Sequence, residues 1–163
     1  MSGVKILVVC HKNTALLKSK ILLPIQVGTA LGKEKLENML ADDTGENISE
    51  KNPMYCELTA QYWAWKNLEA DYYGFFHYRR YLNFSDRKYK EDRWGNVRED
   101  ALSEAMKKKY ALSDDKIETL VRDYDLIISE EKNVVSMPGK AANVYEQYKY
   151  GDSLHIEDLE CIS

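Results

Sequence analysis

Residues 71–82 read Asp-Tyr-Tyr-Gly-Phe-Phe-His-Tyr-Arg-Arg-Tyr-Leu, an apolar and aromatic run that ends abruptly in one histidine and two adjacent arginines. The run predicts a strand over Tyr72–Phe76. Ligands of open α/β sheets bind outside the carboxyl ends of the strands, so His77, Arg79 and Arg80 would lie where a phosphate-bearing ligand is usually held. Arginine matches phosphate oxygens with two parallel N–H donors and keeps its charge at any working pH. The stretch therefore predicts an anion site at a strand end.

Two interpretations of the arginines remain open at this level. Strand alternation points Arg79 and Arg80 to opposite faces of the sheet, so one of them would reach a given ligand. Alternatively, one arginine pairs with an acidic neighbour such as Glu57 and the other is solvated.

The first half of the chain predicts an α/β fold, because a strand-like run is followed by a helix that leads into another strand. The continuous apolar run Lys5–Cys10 is typical of a buried strand in a parallel sheet. Residues 13–52 are interrupted by proline and glycine, which predicts short elements within a long functional loop. A helix is expected over residues 53–69. Its apolar stripe would comprise Leu58, Tyr62, Trp65 and Leu68.

The second half predicts two more helices and a third strand. Asp100–Tyr110 has the pattern of a polar helix. Ser113 is a typical N-cap for the next helix, whose apolar face would comprise Ile117, Leu120, Val121 and Tyr124. That helix leads directly into Asp125–Ser129, which is expected to be a strand. Residues 142–150 and a segment from Asp152 onwards predict two final helices.

Composition favours one domain over residues 1–163 and excludes several classes of protein. Hydrophobic residues make up 44% of the chain, and a net charge of -4 argues against general binding to nucleic acid. No apolar run reaches the length of a membrane span or a secretory signal. The three cysteines have no disulfide or zinc spacing, so a cytoplasmic protein with reduced thiols is expected.

Outside the strand end, three groups of polar residues could carry chemistry. The Asp42-Asp43 pair could hold a divalent metal or a ribose, or could simply form turns and caps. Lys66 could flank a ligand together with Trp63 and Trp65, or the two tryptophans could simply belong to the core. His155 and Asp158 lie one helical turn apart and could form an acid–base pair, a metal corner or a plain surface contact.

Several motifs occur in one order along the chain: Pro24–Gly28, Asp43–Ser49, Asn52, Tyr55–Thr59, Tyr62–Trp63, Trp65–Asn67 and His77–Tyr81. This order resembles the DUF4422 family of bacterial capsular and exopolysaccharide glycosyltransferases, and the resemblance runs from Lys5 to the segment His155–Leu159. It implies a nucleotide-sugar-dependent glycosyltransferase with a GT-A-like, Rossmann-related mixed sheet flanked by helices. The implied donor is a UDP-activated hexose, and the implied acceptor is a growing glycan or lipid-linked glycan.

The resemblance also implies roles for individual residues. Most GT-A enzymes hold a divalent cation, Mn²⁺ or Mg²⁺, on the donor diphosphate through a DxD motif at a strand end. The comparable strand end here reads His77-Tyr-Arg-Arg80. We expect these arginines, with His77, to act catalytically by stabilising the leaving diphosphate, either replacing or supplementing a metal.

The remaining implied roles surround that strand end. His11 and Lys12 follow the first strand, where GT-A folds receive the nucleotide. Glu57 would orient an arginine, and Lys66 would support the site. The expected acid–base candidates are His155 and Asp158. The donor-side loop would contact ribose or sugar hydroxyls through Asp43, Asn47, Ser49 and Asn52.

Relatives in this family continue well beyond the equivalent of Glu160, so a C-terminally truncated domain that binds donor without full turnover is expected. A noncatalytic binding or assembly module that keeps the fold is the main alternative, and a small nucleic-acid-binding protein is a third. An incomplete sheet edge would favour a homo-oligomer. Any membrane association would be peripheral, at the inner membrane face.

Overall fold

The computed structural model describes residues 3–32, 34–92 and 94–131. Its strands are β1 Val4–Cys10, β2 Leu22–Gln26, β3 Leu40–Ala41 and β4 Tyr72–His77. Its α-helices are α1 Asn52–Tyr55, α2 Leu58–Asn67, α3 Glu104–Lys109 and α4 Asp114–Leu120. Single 3-10 turns lie at Thr29–Leu31, Ser49–Lys51 and Val121–Asp123.

The chain divides into two compact units, and the larger one, residues 1–90 and 98–128, contains all of these elements. The second comprises residues 91–97 and 129–163. In its described part, Asp92 closes a turn by accepting the backbone N–H groups of Trp94 and Asn96, at 2.9 and 3.0 Å. The expectation of a single domain stays a prediction.

The described strands form one parallel sheet in the order β3-β2-β1-β4. The strands predicted at Lys5–Cys10 and Tyr72–Phe76 are confirmed as β1 and β4, and the α/β class is confirmed with them. Every residue of β1 except Lys5 is buried. A strand buried on both sides needs cover on both faces of the sheet.

The register of β1 and β4 assigns the residues of each face. Leu7 and Val9 pair with Phe75 and His77, so these side chains share one face. Leu7 and Val9 belong to a buried cluster with Ile25 of β2 and with Ala60, Trp63 and Ala64 of α2. On the other face, Val4, Ile6 and Phe76 line a cavity of about 150 Å³ together with Phe84 and Val121. His77 therefore faces the side of the sheet that α2 covers.

Strand β2 is the main element that the sequence did not predict, because Pro24 interrupts its apolar run. The carbonyl of Ile21 and the N–H of Val27 both bond to β1, so Pro24 faces the other neighbour by alternation. On that side β3 pairs only with Ile25 and Gln26. The missing N–H of Pro24 therefore costs no hydrogen bond of the sheet.

The single helix predicted over residues 53–69 is wrong, because the chain breaks at Cys56. Cys56 has φ 46°, which is outside the helical region and ends α1. Asn52 spans the break: its Nδ2 donates to the carbonyl of Cys56 at 2.8 Å and to Thr59 Oγ1 at 3.2 Å. Two short helices with an internal link therefore replace one long one.

The apolar stripe predicted for this helix is wrong at Leu58 and Trp65, although Leu68 packs against the core as predicted. Leu58 is exposed and Trp65 is 71% exposed, whereas the buried side chains are Thr59, Ala60, Trp63 and Ala64. The positions of the large apolar residues therefore did not predict which face of the helix is buried. The helix packs closely on the sheet through two alanines and one tryptophan.

In the second half of the larger unit both predicted helices are present, although the first is shorter than predicted. Helix α3 is shorter than the predicted Asp100–Tyr110 and begins after Ser103, whose Oγ accepts the N–H of Met106 at 3.1 Å. Helix α4 begins after Ser113 as predicted and buries Ile117, and Val121 of the following turn is buried too. Tyr124 was predicted to belong to the same apolar face, but it is exposed.

The strand predicted at Asp125–Ser129 is wrong. These residues have no regular secondary structure and lie outside the sheet, and Leu126 and Ile128 are 74% and 71% exposed. β-Propensity expresses how well side chains fit a pleated surface, and a run with no partner strand in the described part of the chain has no such surface. The helices predicted over residues 142–150 and from Asp152 lie outside the described residues.

Candidate functional site

The polar residues that follow β1 and β4 meet at one edge of the sheet. The two strands are parallel neighbours and end in register, with Val9 opposite His77. The N–H of Tyr78 donates to the carbonyl of Val9 at 3.1 Å, which extends the pairing one residue beyond β4. His11 and Lys12 after β1 therefore lie beside the residues after β4, as expected for ligand groups at strand ends.

A tight turn follows β4 and determines which ring nitrogen of His77 carries the proton. The N–H of Arg80 donates to the carbonyl of His77 at 2.8 Å, and the N–H of Arg79 donates to His77 Nδ1 at 3.2 Å. Because Nδ1 accepts this hydrogen bond, the neutral imidazole carries its proton on Nε2. His77 thus presents an N–H donor.

The charges around His77 favour the neutral ring. Partial burial and then the positive charge of Arg79 lower the pKa of His77 below its ordinary value. Arg80 and His11 act in the same direction, while Glu57 opposes them. Glu57 precedes α2, on the side of the sheet that His77 faces. His77 is therefore a neutral hydrogen-bond donor at neutral pH.

Tyr78 lies at the centre of this group, although the sequence pointed to no role for it. Its ring is 4.3 Å from that of His77 and 5.3 Å from that of His11, between centroids. Lys12 Nζ lies 5.7 Å and Arg79 Cζ 5.1 Å from the centre of the same ring. Tyr78 thus brings together residues from the ends of two strands. We call these five residues the strand-end cluster.

Both arginines are exposed, and the strand alternation expected for them does not apply because β4 ends at His77. Within the described residues, neither arginine forms an ion pair with Glu57. The alternative in which an acidic partner neutralises one arginine therefore has no support from the described contacts. An orienting role for Glu57 stays a proposal, and its described influence falls on His77.

The predicted donor-side loop, residues 43–52, lies at the same sheet edge but is organised differently. The loop is anchored by Asp42, which immediately precedes it and is fully buried. From the sequence, the Asp42-Asp43 pair could have held a metal or a ribose, or formed turns and caps. Asp42 Oδ2 accepts from Gly28 N and Thr59 Oγ1, at 2.9 and 2.7 Å. Asp42 Oδ1 accepts from Thr29 N and Ser49 Oγ, at 3.0 and 2.5 Å. One carboxylate thus joins the ends of β2 and β3 to α2.

The four residues predicted to contact the donor all have protein partners in this loop. Asp43 pairs with Lys35 at 2.9 Å. Asn47 caps the loop, accepting the N–H of Ser49 at 3.1 Å, and Asn52 links α1 to α2. Ser49 is fully buried, and its Oγ also accepts the N–H of Ala30 at 3.1 Å.

Gly28 explains why the loop can close so tightly. It has φ +66°, and a Cβ there would lie 2.8 Å from Asn52 Oδ1. Its N–H is one of the four donors to Asp42. A side chain at position 28 would therefore push the loop away from the strand end.

The remaining predicted residues lie elsewhere. Lys66 pairs with Glu46 at 2.9 Å and lies 3.9 Å above the ring of Trp65, so it is part of a surface cluster on α2. His155 and Asp158 lie outside the described residues. Cys10 and Cys56 are free thiols.

The side chains described at this sheet edge suit an anion better than a divalent cation. Mn²⁺ and Mg²⁺ take mainly oxygen ligands. Here Asp42 has all its bonds to protein donors, Asp43 is paired, and the strand-end cluster offers ammonium, guanidinium and imidazole N–H groups. Across residues 3–32, 34–92 and 94–131, no three His, Cys, Asp or Glu side chains form a group that could hold a metal ion.

The described helices include none that is both long and apolar enough to cross a membrane.

Comparison with known proteins identifies the family of the chain. No curated protein matches the sequence. The chain is similar to the apo structure of the bifunctional glycosyltransferase WbbM, with 42% sequence identity and a TM-score of 0.88. The match covers 97% of this chain and 28% of that one, so the chain spans well under a third of the length of WbbM. A family model described as a domain of unknown function, DUF4422, matches residues 5–163. This protein therefore belongs to the DUF4422 family.

Proposed function

We propose that this chain is the donor-binding part of a glycosyltransferase, and that it holds the diphosphate of a nucleotide sugar at the carboxyl ends of β1 and β4. The observation that carries the proposal is the convergence of Lys12, His77 and Arg79 on Tyr78. Within the described residues, the positive charges of Lys12 and Arg79 have no acidic partner in an ion pair. The similarity to WbbM supports the same function.

In the proposed reaction, the bond between the anomeric carbon and the diphosphate oxygen breaks, and the oxygen keeps the electron pair. The acceptor hydroxyl oxygen forms the new bond to the anomeric carbon and gives up its proton. Lys12, Arg79 and Arg80 would stabilise the charge that develops on the leaving diphosphate. Charged donors aimed at that oxygen act more strongly on the transition state than on the bound sugar nucleotide.

His77 would donate a hydrogen bond from Nε2 to a phosphate oxygen. It would not remove the acceptor's proton, because Nδ1 already accepts the N–H of Arg79. The base must therefore be another group. His155 and Asp158 stay the proposed acid–base residues.

The finer assignments follow from the family resemblance. The proposed donor is a UDP-hexose, the proposed acceptor is a glycan or lipid-linked glycan, and the proposed setting is capsular or exopolysaccharide synthesis. Asp43, Asn47 and Asn52 are partly exposed and stay proposed contacts to ribose or sugar hydroxyls. Ser49 could join them only if its bond to Asp42 opened.

A noncatalytic binding module is the second candidate, and the outer side of α1 and α2 favours it. Met54, Leu58 and Trp65 are exposed there at 81%, 51% and 71%. Large apolar side chains exposed together on a surface often mark an interaction site. This candidate predicts binding to a partner without any response to nucleotides.

The test is thermal stability of the chain with UDP, UDP-hexoses, ADP and GDP, each with manganese and with a chelator. At a ligand concentration of about 100 Kd, binding adds roughly 2.7 kcal/mol, or about 5–10 °C in Tm for a chain of this size. We expect this shift with uridine nucleotides and its loss in the double variant Arg79→Ala, Arg80→Ala.

The matched control is Lys108→Ala with Arg122→Ala, which removes two exposed positive charges from α3 and the turn after α4. The control should keep the full uridine shift. A folded wild-type chain with no shift for any nucleotide would contradict the proposal and favour the binding module.

A further inference from the structure

We propose that Tyr78 is the positioning residue of this site: its buried ring holds the two strand ends together and makes the convergence of their cations stable. The identity of the ligand rests on the proposed function. The placement of the ring does not.

The backbone and the ring of Tyr78 both link β4 to β1. Its N–H extends the pairing of the strands by donating to Val9, and the residue is only 4% exposed. The ring of His11, from the end of β1, meets it edge-on at an interplanar angle of 78°. The ring of His77 lies against it at 37°. A side chain this buried cannot itself be a main ligand contact, so its effect must pass through its neighbours.

The ring also offsets the repulsion between the cations. Lys12 and Arg79 come from different strands and both lie within 6 Å of the centre of the Tyr78 ring. Cations at this distance are attracted by the negative face of an aromatic ring. No described ion pair neutralises either residue. Among the described residues, the face of the Tyr78 ring is therefore what stabilises the charges of Lys12 and Arg79 before an anion binds.

Two substitutions separate the ring from the rest of the side chain. Tyr78→Phe keeps the aromatic face and removes only the hydroxyl. Tyr78→Leu keeps an apolar side chain and removes the face. If Tyr78 only packs the core, Tyr78→Leu should lower the free energy of unfolding and leave anion affinity unchanged. If Tyr78 positions the cations, Tyr78→Leu should lower anion affinity.

The experiment measures the affinity of the full 163-residue chain for UDP and for pyrophosphate by calorimetry, well below the unfolding midpoint of each variant. We expect Tyr78→Phe to bind within about twofold of wild type and Tyr78→Leu to bind at least about tenfold more weakly, as loss of two cation–π contacts implies. Equal binding by wild type and Tyr78→Leu would overturn the inference. So would an equal loss in Phe and Leu, because the aromatic face would then not be responsible.

The histidine signals provide a second readout that does not need a ligand. The chain has three histidines, so their ring protons are readily resolved by NMR. A ring held at 4.3 and 5.3 Å should shift the signals of His77 and His11 in wild type and in Tyr78→Phe. If Tyr78→Leu does not fold, the absence of these shifts from wild type overturns the inference. If wild type binds neither UDP nor pyrophosphate, the proposed function fails, and the shifts alone decide whether Tyr78 positions the cluster.

Discussion

The strand-end cluster and the donor-side loop with its preceding residue Asp42 lie at the same edge of one sheet. They use polar residues in opposite ways. At the start of the loop, Asp42 is fully buried and all its described bonds go to protein donors. In the cluster, Arg79 and Lys12 are exposed, and the described partner of both side-chain charges is the ring of Tyr78. A satisfied buried carboxylate contributes to the fold, whereas exposed cations without a counter-charge remain available to a ligand.

The comparison is tested most strongly by removing Asp42. Asp42→Ala leaves two backbone N–H groups and two hydroxyls without their acceptor in a buried site, so we expect it to lower the free energy of unfolding by about 3 kcal/mol or more. Urea denaturation measures this loss. The matched control is Asp43→Ala, which removes only a surface pair with Lys35 and should cost less than about 1 kcal/mol. Similar losses in the two variants would show that the loop does not depend on the buried carboxylate.

A smaller effect is expected at Tyr81, two residues after Arg79. Its hydroxyl is buried and has no hydrogen-bond partner in the described part of the protein, and burial raises its pKa to about 12. Tyr81→Phe removes this unsatisfied group and keeps the ring contact with Phe76 at 5.3 Å. We expect it to raise the free energy of unfolding by about 1 kcal/mol. Loss of stability in this variant would mean that the hydroxyl has a hydrogen-bond partner in solution. The segment after the cluster would then be held by polar bonds, as the donor-side loop is.

The smallest predicted effect is on the titration of His77. Glu57 raises the pKa of His77 against the lowering by burial and by Arg79, so Glu57→Gln should lower that pKa further. NMR titration of the ring protons measures it, and high salt should reduce the change because Glu57 is exposed. Arg79→Ala is the paired control, with a change in the opposite direction. An unchanged pKa in Glu57→Gln would remove Glu57 from the surroundings of the cluster.

The lowered pKa also gives the sign of a pH effect on folding. The unfolded chain binds a proton at His77 more readily than the folded chain does. The contribution of His77 to stability is therefore present above the ordinary histidine pKa near 6.5 and is lost as pH falls through the lowered folded value.

Several features could be predicted because each depends on a short continuous stretch. The apolar runs of β1 and β4 are long enough to identify strands, and the charged residues that follow them identify a sheet edge. The helix start at Ser113 is a local signal as well. The order of the motifs from Pro24 to Tyr81 was sufficient to identify the family.

Other features could not be predicted because they depend on contacts between distant segments. Pro24 is acceptable in a strand only because β3 is too short to pair beside it. The difference between Asp42 and its neighbour Asp43 is one of burial, which no local pattern distinguishes. The run at Asp125–Ser129 has the composition of a strand but no partner in the described sheet.

The sequence by itself determined the α/β class, the first and last described strands and the charged residues at their ends. The tertiary structure decided which of these residues meet. Lys12 and Arg79 are far apart along the chain, and only the parallel pairing of β1 with β4 brings them to one ring. Local patterns record the preferences of single segments, whereas a site is formed when pairing and burial place several segments together.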